Sequence, residues 1–217
     1  MPRFFVSPES VSGDTISVSE GDYNHIRNVL RMRVGDSLTV CDGQGWDYAC
    51  AIEDFDNGVC HLHINERIPS AVELPVEITL YQGFPKKEQR KTERFRAIAE
   101  SAAKQCGRGI LPEVTEPMRF AEAVGDAKAR GCCILLPYEN AIGMKATKEA
   151  FDEAMKVRRI AVFIGPEGGF ARDEVELAEK AGARTISLGR RILRTETAGL
   201  AVLSALMLRA EEIMENL

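Results

Sequence analysis

The sequence lacks the patterns that mark several common classes of protein. Its six cysteines form no C-x-x-C pair and are accompanied by only three histidines, which argues against a zinc site and favours scattered buried thiols. No apolar run approaches the ~18–20 residues of a membrane span. The first ten residues lack the basic, apolar and small-residue regions of a signal peptide. We therefore expect a cytoplasmic protein with no bound metal and no membrane segment.

A strong excess of positive charge is also absent, because the net charge of the 217 residues is −5. Basic residues are nevertheless concentrated locally, in the stretch 86–108 and at four arginines near the amino terminus. These four are Arg3, Arg27, Arg31 and Arg33. Locally basic surfaces bind phosphates even on an acidic protein. An ordinary solvated surface explains the same pattern equally well.

Residues 1–70 have the pattern of short strands joined by tight turns. Apolar runs at 37–40, 48–52 and 59–64 are separated by Gly-Asp, Asp-Gly and Asn-Gly pairs, which are typical of turns. One helical piece, about 22–30, interrupts them. This pattern predicts a small β-barrel domain, followed by a linker at 69–75.

Residues 75–217 alternate between strands and helices, which predicts a second, α/β domain. We expect strands at 76–81, 132–136, 160–164 and 185–188, and helices at 91–106, 172–181 and from about 195 to 214. Thr195 can cap the last helix. Residues 197–210 are apolar nearly all round, which indicates burial on two sides, either in a dimer interface or in the core of a monomer.

Two glycine-containing loops follow predicted strands in this domain. The first is Gly165-Pro-Glu-Gly-Gly-Phe170, and the second begins at Gly189 and leads into the last helix. Ligands of open α/β sheets bind at the carboxyl ends of strands, where glycine lets the backbone approach them closely. The first loop matches neither G-x-G-x-x-G nor a P-loop, which argues against dinucleotide and phosphate binding. A purely structural turn is the alternative.

The two loops can line one crevice, in which backbone N–H and C=O groups would hold the edge of an adenine. Ile192 and Leu193 would supply apolar walls. The strand end at 135–139, which includes Leu136, is a weaker candidate for the same crevice.

Several of these segments together resemble the RsmE family, the 16S rRNA uridine-N3 methyltransferases. The resemblance lies in Gly165–Phe170 and in Ser187-Leu-Gly-x-x-Ile-Leu-Arg-Thr-Glu-Thr-Ala198. It extends to Arg3-Phe4-Phe5, to the segment 25–36, and to Glu100–Arg108 followed by Pro112-Glu-Val114. The resemblance spans nearly the whole chain, and its motifs are specific in combination.

This resemblance implies an α/β SPOUT fold with a C-terminal trefoil knot over residues 75–217, preceded by a PUA-like, RNA-binding β-barrel over residues 1–70. It implies a homodimer that uses S-adenosyl-L-methionine. The implied substrate is the uridine numbered 1498 in 16S rRNA of the small ribosomal subunit, and the implied products are N3-methyluridine and S-adenosylhomocysteine.

The site residues follow from the matched motifs. The N3 atom of uridine must lose a proton before it can attack a methyl group, and Glu196, or less favourably Glu167, is the candidate base. Arg194 is expected to stabilise the uridine anion or to bind a phosphate. Helix-dipole compensation by Glu196 and a loop-rigidifying bond by Glu167 are the structural alternatives. The expected cofactor-binding residues are Leu136, Gly165, Pro166, Glu167, Gly168, Leu188, Gly189, Ile192, Leu193 and Thr195.

In the barrel, Arg3, Arg27, Arg31 and Arg33 are candidate phosphate contacts, which position RNA without reading its bases. His25 is a candidate for stacking on a base, or it caps the short helix. We expect Arg190 and Arg191 to make surface or dimer contacts and not to take part in catalysis.

The sequence departs from the family near residues 85–90. Family members carry a further helix and strand here, on the order of thirty residues, whereas Phe84–Lys91 crosses directly. Either the chain lacks this unit or the printed sequence skips it. We favour the second explanation, because removing an inner strand would expose sheet edges.

Two other functions remain open. One is a SPOUT methyltransferase that acts on another RNA nucleoside, such as a tRNA ribose. The other is a non-catalytic RNA-binding relative with a decayed cofactor site, against which the two glycine-containing loops argue.

Overall fold

The structure is a computed structural model that describes residues 2–84, 92–141 and 143–215. The chain forms two compact units. The first comprises Met1–Glu73 and Thr92–Thr115, and the second comprises Leu74–Lys91 and Glu116–Leu217. The boundary between Glu73 and Leu74 falls inside the predicted linker. Residues 92–115, however, belong to the first unit, although the sequence placed them in the second.

The first unit is built on a six-stranded sheet. Its strands, with the order β1-β4-β5-β6-β3-β2, are β1 (Arg3–Phe5), β2 (Val11–Ser12), β3 (Thr15–Val18), β4 (Ser37–Cys41), β5 (Trp46–Asp56) and β6 (Val59–Pro69). A helix, α1 (Glu20–Asn24), continues into a wider helical turn at His25–Val29. Asn57 and Gly58 both have positive φ angles, as a tight hairpin turn between β5 and β6 requires.

This sheet curls around a single core, as the sequence pattern predicted for the amino-terminal domain. Phe4, Ile16, Ile26, Leu38 and Leu62 come from different elements and are all buried in the same cluster. The pairing of β5 with β6 shifts register twice, at Ala49/Cys50 and at Ile52/Asp54. Such bulges bend a strand and increase its twist, which lets the sheet wrap around its core.

The segment 92–115 packs on this sheet through its helix α2 (Thr92–Cys106) and the loop that follows. Lys104 Nζ lies 3.1 Å from the carboxylate of Asp22. One carboxylate oxygen of Glu73 accepts hydrogen bonds from the N–H groups of Gly109, at 2.7 Å, and Ile110, at 2.9 Å. A side chain at Gly109 would overlap Ser70. These contacts explain why residues 92–115 join the first unit.

The second unit is an α/β fold around a four-stranded parallel sheet. Its strands, with the order β10-β8-β9-β7, are β7 (Glu77–Gln82), β8 (Cys133–Pro137), β9 (Arg159–Ile164) and β10 (Arg184–Ile186). Its helices are α3 (Phe120–Ala129), α4 (Met144–Val157), α5 (Arg172–Lys180) and α6 (Thr195–Met214). The four predicted strands and the predicted helices are confirmed, whereas α3 and α4 were not predicted.

Helices cover both faces of this sheet. Leu135 and Val162 face α4 and α6, where Val202 and Leu206 of α6 are fully buried. Each such aliphatic side chain stabilises the fold by about 1.5–3 kcal/mol. On the other face, Phe163 packs against α3 and α5. The sheet is therefore buried on both sides, which is typical of parallel strands with continuous apolar sequences.

The sequence also led to expectations about membrane segments, metal sites and cysteines. Across residues 2–84, 92–141 and 143–215, no helix has the length and apolarity needed to cross a membrane. The same residues contain no cluster of His, Cys, Asp or Glu suited to a metal ion.

Burial raises the pKa of the Cys50 and Cys60 thiols to about 11, so both remain protonated, whereas Cys106 is exposed. The predicted departure at residues 85–90 lies outside the described residues.

Candidate active site

The carboxyl ends of the four parallel strands share one edge of the second unit. The N–H of Tyr138, which follows β8, donates to the carbonyl of Ile186 at the end of β10, at 3.0 Å. The N–H of Gly83, which follows β7, donates to the carbonyl of Ile164 at the end of β9, at 2.6 Å. Both predicted glycine-containing loops therefore begin at this edge, where ligands of open α/β sheets bind.

The loop after β9 is folded tightly on itself. The N–H of Gly169 donates to the carbonyl of Pro166 at 2.8 Å, and the φ angle of Gly169 is +72°. A Cβ atom at Gly165 would lie 3.2 Å from the carbonyl carbon of Gly169 and 3.3 Å from the ring of Phe170. A side chain at position 165 would need these neighbours to move by a few tenths of an ångström, so the loop is closely packed around this glycine. Glu167 and Gly168 are exposed at the turn.

The strand β7 approaches the same loop from the other side. A Cβ atom at Gly83 would lie 2.5 Å from the backbone nitrogen of Pro166 and 2.6 Å from the carbonyl carbon of Gly165. Both neighbours are backbone atoms, which cannot move aside as a flexible side chain can. The position of the Gly165–Phe170 loop is thus fixed by the chain after β7 as well as by β9.

The loop between β10 and α6 presents apolar side chains and backbone groups together. Leu188 and Leu193 pack against the core beneath α4 and α6, whereas Ile192 is 85% exposed. Gly189 has a φ angle of +107°, in the region that favours glycine. In the described parts of the chain, the peptide N–H groups of Leu188, Ile192 and Leu193 donate no hydrogen bond. Such groups, beside apolar side chains, fit the edge and face of an adenine.

Helix α6 begins immediately after this loop. Arg194 is its N-cap residue, with φ −68° and ψ 154°, and Thr195 is the first helical residue. The prediction that Thr195 caps the helix was wrong, because the carbonyl of Arg194 already accepts the bonds from the N–H groups of Thr197 and Ala198. Arg194 and Glu196 are exposed, and among the described residues neither side chain has an ion-pair partner.

The start of α6 lies against the end of β9. A Cβ atom at Gly199 would lie 3.9 Å from Ile164, the residue that precedes Gly165, and 2.9 Å from the side-chain oxygen of Gln82. The amide nitrogen of Gln82 lies 3.5 Å from the carbonyl of Thr195. The first turn of α6, which carries Glu196, therefore borders the first glycine-containing loop.

Two residues near the two glycine-containing loops, Leu136 and Tyr81, have side chains that point away from the predicted crevice. Leu136 is fully buried in the core beneath α3 and α5, so that its side chain cannot form a wall of the crevice and only its backbone could contact a ligand. Tyr81 donates a hydrogen bond to Asp126 at 2.5 Å, and burial together with that carboxylate raises the pKa of Tyr81 to about 12. Tyr81 stays protonated at neutral pH and is excluded as a base.

Sequence reasoning missed Gln82 and Thr147. Gln82 touches the carbonyl of Thr195, and Thr147 contacts both backbone groups of Ser187 at the start of the second loop. Neither belongs to a glycine-containing loop. The only signal in the sequence for Gln82 is that it is a polar residue at the end of an apolar strand. For Thr147 it is that a polar residue lies within a helix.

In the first unit, Arg3, which is a predicted phosphate contact, also makes structural contacts within the fold. Its guanidinium lies 2.6 Å from the carboxylate of Asp47 and donates to the carbonyl of Arg108 at 3.0 Å. Only 17% of its side chain is exposed. Arg3 therefore ties β1 to β5 and to the segment after α2.

The remaining candidate phosphate contacts are exposed on the turn after α1. The guanidinium of Arg27 lies 4.3 Å from the centre of the Phe55 ring, which leaves its edge free for an anion. Arg31 has a φ angle of +55°, and Arg33 donates its backbone N–H to Asp36. Within the described chain, none of the side chains of Arg27, Arg31 and Arg33 forms a salt bridge.

His25 lies beside these arginines and is exposed. Its ring meets that of Phe4 edge to face, with centroids 5.7 Å apart. It follows the last residue of α1, and no capping bond from its side chain to that helix is found in the described structure. This contact leaves the outer face of the imidazole accessible.

Comparison with known proteins identifies the family. A model of an RNA methyltransferase domain matches residues 74–207, and a model of an RNA methyltransferase PUA domain matches residues 18–64. Ribosomal RNA small subunit methyltransferase E of Bacillus subtilis is 26% identical over 250 positions, which cover 97% of this chain and 98% of that protein. The chain belongs to the RsmE family of RNA methyltransferases. The Synechocystis relative of the same name is 27% identical over 94% of this chain and 78% of its own.

Solved structures of RsmE relatives match over nearly the full length. Ribosomal RNA small subunit methyltransferase E from Neisseria gonorrhoeae, bound to S-adenosyl methionine, has a TM-score of 0.79 and 26% identity, covering 95% of this chain and 96% of that one. A structure from Legionella pneumophila, described as a methyltransferase with the cofactor SAM bound, has a TM-score of 0.76 and 25% identity. That match covers 96% of this chain and 97% of the other.

The alignment with the Bacillus RsmE protein spans 250 positions, more than the 217 residues of this chain. The relative therefore has residues without a counterpart in this sequence. A helix–strand unit absent near residues 85–90 would produce such a difference.

Proposed function

We propose that this chain methylates the N3 atom of a uridine, the one numbered 1498 in 16S rRNA of the small ribosomal subunit, with S-adenosyl-L-methionine as methyl donor. The observation that carries this proposal is the junction of Gly165–Phe170 with the start of α6 at the carboxyl ends of parallel strands. The relatives that match over most of this chain are named ribosomal RNA small subunit methyltransferases.

The residues at this edge fit the cofactor. The backbone from Gly165 to Gly168 and the N–H groups of Leu188, Ile192 and Leu193 would hold it, with Ile192 and Leu193 as apolar walls. Gly189 and Thr195 would border the same cofactor site. When bound, S-adenosylmethionine supplies a methyl group activated by its sulfonium. The two structures described with that cofactor have the same fold over at least 95% of this chain.

The chain's own residues prepare the uridine. Its N3–H proton must leave before the nitrogen can act as a nucleophile, and the exposed carboxylate of Glu196 would accept it directly or through a water. Arg194, two residues earlier, would stabilise the resulting anion. Glu167, at the exposed turn of the other loop, is the second candidate base. Holding N3 in line with the methyl group would supply much of the rate enhancement.

The two alternative functions differ in whether the chain binds the cofactor. A non-catalytic RNA-binding relative would not need a loop that presents the N–H groups of Leu188, Ile192 and Leu193, which donate no hydrogen bond in the described chain, beside apolar side chains. Calorimetry with S-adenosylmethionine distinguishes this alternative from a methyltransferase, because only an enzyme is expected to bind the cofactor. A methyltransferase acting on another nucleoside would bind the cofactor equally well, and it differs only in the nucleoside that it methylates.

The exposed arginines after α1 are expected to position the RNA. Arg31→Ala combined with Arg33→Ala should weaken RNA binding and reduce the slope of log affinity against log salt by about 1.4–1.8. Each lost phosphate contact removes about 0.7 from the slope for a single strand and about 0.9 for a double helix. The measurement is a salt titration of binding to small-subunit rRNA.

Lys156→Ala with Lys180→Ala is the matched control for that double variant. It removes the same charge at the carboxyl ends of α4 and α5, away from the strand edge that carries the site. An unchanged salt slope in the arginine variant, or an equal change in the lysine variant, would assign Arg31 and Arg33 to ordinary surface charge.

We extend the proposal to a homodimer that works in the cytoplasm, and to a trefoil knot in the second unit. Helix α6 buries one face in the core and exposes Leu200 and Leu208, each by 69%, on the other. A second copy would cover these side chains. Equilibrium sedimentation should give twice the chain mass of 24.0 kDa, and a monomer would contradict the dimer. An experimental structure that traces an unknotted chain would contradict the knot.

A further inference from the structure

Thr147 is a buried hydroxyl with an unusual pair of partners. It lies in the first turns of α4 and is only 4% exposed. Its Oγ1 accepts a hydrogen bond from the N–H of Ser187 at 2.9 Å and donates one to the carbonyl of Ser187 at 3.1 Å. One side chain therefore satisfies both backbone polar groups of a single residue in another element.

The position of Ser187 explains why such a bridge is needed. Ser187 follows β10, an edge strand that pairs with β8 alone in the described sheet. The carbonyl of Ile186 bonds to Tyr138 on the β8 side. Successive residues of a strand direct their backbone groups to opposite sides, so those of Ser187 turn away from β8. Thr147 takes the place of the missing neighbouring strand, because buried backbone groups must be paired.

The bridge continues into the second glycine-containing loop. The Oγ of Ser187 accepts a hydrogen bond from the N–H of Gly189 at 3.2 Å and lies 3.4 Å from its carbonyl oxygen. Gly189 is the residue with φ +107° at which the chain turns toward Ile192 and Leu193. A continuous series of hydrogen bonds thus joins α4, through Thr147 and Ser187, to the start of this loop.

We propose that Thr147 is a positioning residue for the cofactor, acting through Ser187 and Gly189 on the loop 188–193. The proposal rests on the proposed function, in which this loop holds S-adenosylmethionine. The peptide N–H groups of Leu188, Ile192 and Leu193 have no partner in the described chain. The bridge at Ser187 therefore fixes the conformation in which these groups are presented to the ligand.

Two substitutions test this role. Thr147→Val keeps the shape of the side chain and removes the hydroxyl, whereas Thr147→Ser keeps the hydroxyl. Calorimetry should show S-adenosylmethionine affinity about tenfold weaker in Thr147→Val, the effect of losing roughly one net hydrogen bond. Thr147→Ser should bind within about twofold of the wild-type protein. Without cofactor, amide hydrogen exchange at Gly189, whose N–H is bonded to the Oγ of Ser187, should be faster in Thr147→Val only.

Val175→Ala is the matched control. Val175 lies on α5, in the core on the opposite face of the sheet, and its truncation should lower the melting temperature without changing amide exchange at Gly189. A merely structural role for Thr147 predicts that Thr147→Val behaves like this control.

The possible failures are distinguishable. Wild-type affinity and unchanged loop exchange in Thr147→Val would overturn the positioning role while leaving the proposed function intact. Failure of the wild-type chain itself to bind S-adenosylmethionine would instead overturn the proposed function, and the positioning role with it.

Discussion

Gly165→Val is expected to abolish S-adenosylmethionine binding, with affinity reduced at least about 100-fold. A Cβ atom at this position would already lie 3.2 Å from the backbone of Gly169 and 3.3 Å from the ring of Phe170. The two further methyl groups of valine must either displace the Gly165–Phe170 loop or occupy the space beside it. Titration calorimetry on the purified variant measures the effect.

The control for this substitution is Gly125→Ala in helix α3. A Cβ atom at Gly125 would meet no atom within 4 Å, and alanine favours a helix over glycine by about 1 kcal/mol. This variant should bind the cofactor normally and melt no lower than the wild-type chain. Normal affinity in Gly165→Val would remove the loop after β9 from the cofactor site.

The second large effect is expected for Arg194→Ala, which should reduce turnover by about 100- to 1000-fold, as removal of a group that stabilises a developing anion does. Cofactor affinity should change by less than about threefold, because the loss falls on the transition state. The exposed guanidinium has no salt-bridge partner in the described chain, so its removal should not destabilise the fold. Single-turnover kinetics and calorimetry measure the two quantities separately.

Arg172→Ala provides the comparison for Arg194→Ala, since it removes an exposed arginine whose nearest partner is Glu176 on the same helix. Its turnover should match the wild type. Equal losses of turnover and cofactor affinity in Arg194→Ala would exclude Arg194 from catalysis and indicate a role in shaping the loop.

The sequence predicted the strands of the second unit because they are continuous apolar runs that end in glycine or proline. It did not predict α4, and the structure shows the reason. The helix starts after Gly143, whose φ angle is +89°, with no capping side chain, and two of the residues that it buries, Ala150 and Ala154, are small. Short alanine side chains give a weak helical pattern even where tertiary packing is close.

The division of the chain into units could not be read from the sequence either. The assignment of residues 92–115 to the first unit depends on Lys104 meeting Asp22 and on Glu73 accepting the N–H groups of Gly109 and Ile110. These partners are distant in sequence, and nothing in the local pattern identifies them.

The parts of the candidate site that depend on local backbone conformation could be predicted from the sequence. The parts that depend on contacts between residues distant in sequence could not. Glycine at 165 follows from the loop's own geometry, and the motif around it identified the position. The ion pair of Arg3 with Asp47 and the bridge from Thr147 to Ser187 join residues 44 and 40 positions apart. Only the fold brings such side chains together.

The most direct test of this account is methyl transfer to small ribosomal subunits purified from cells that lack the endogenous modification. The subunits would be incubated with the chain and S-adenosylmethionine labelled in its methyl group. The rRNA would then be digested to nucleosides, to identify the methylated nucleoside, and separately to oligonucleotides, to locate it, before mass spectrometry. The account predicts label in N3-methyluridine at position 1498 with the wild-type chain and none with Gly165→Val. Label in a ribose 2′-O-methyl group or in another base, or no transfer by a chain that binds the cofactor, would contradict it.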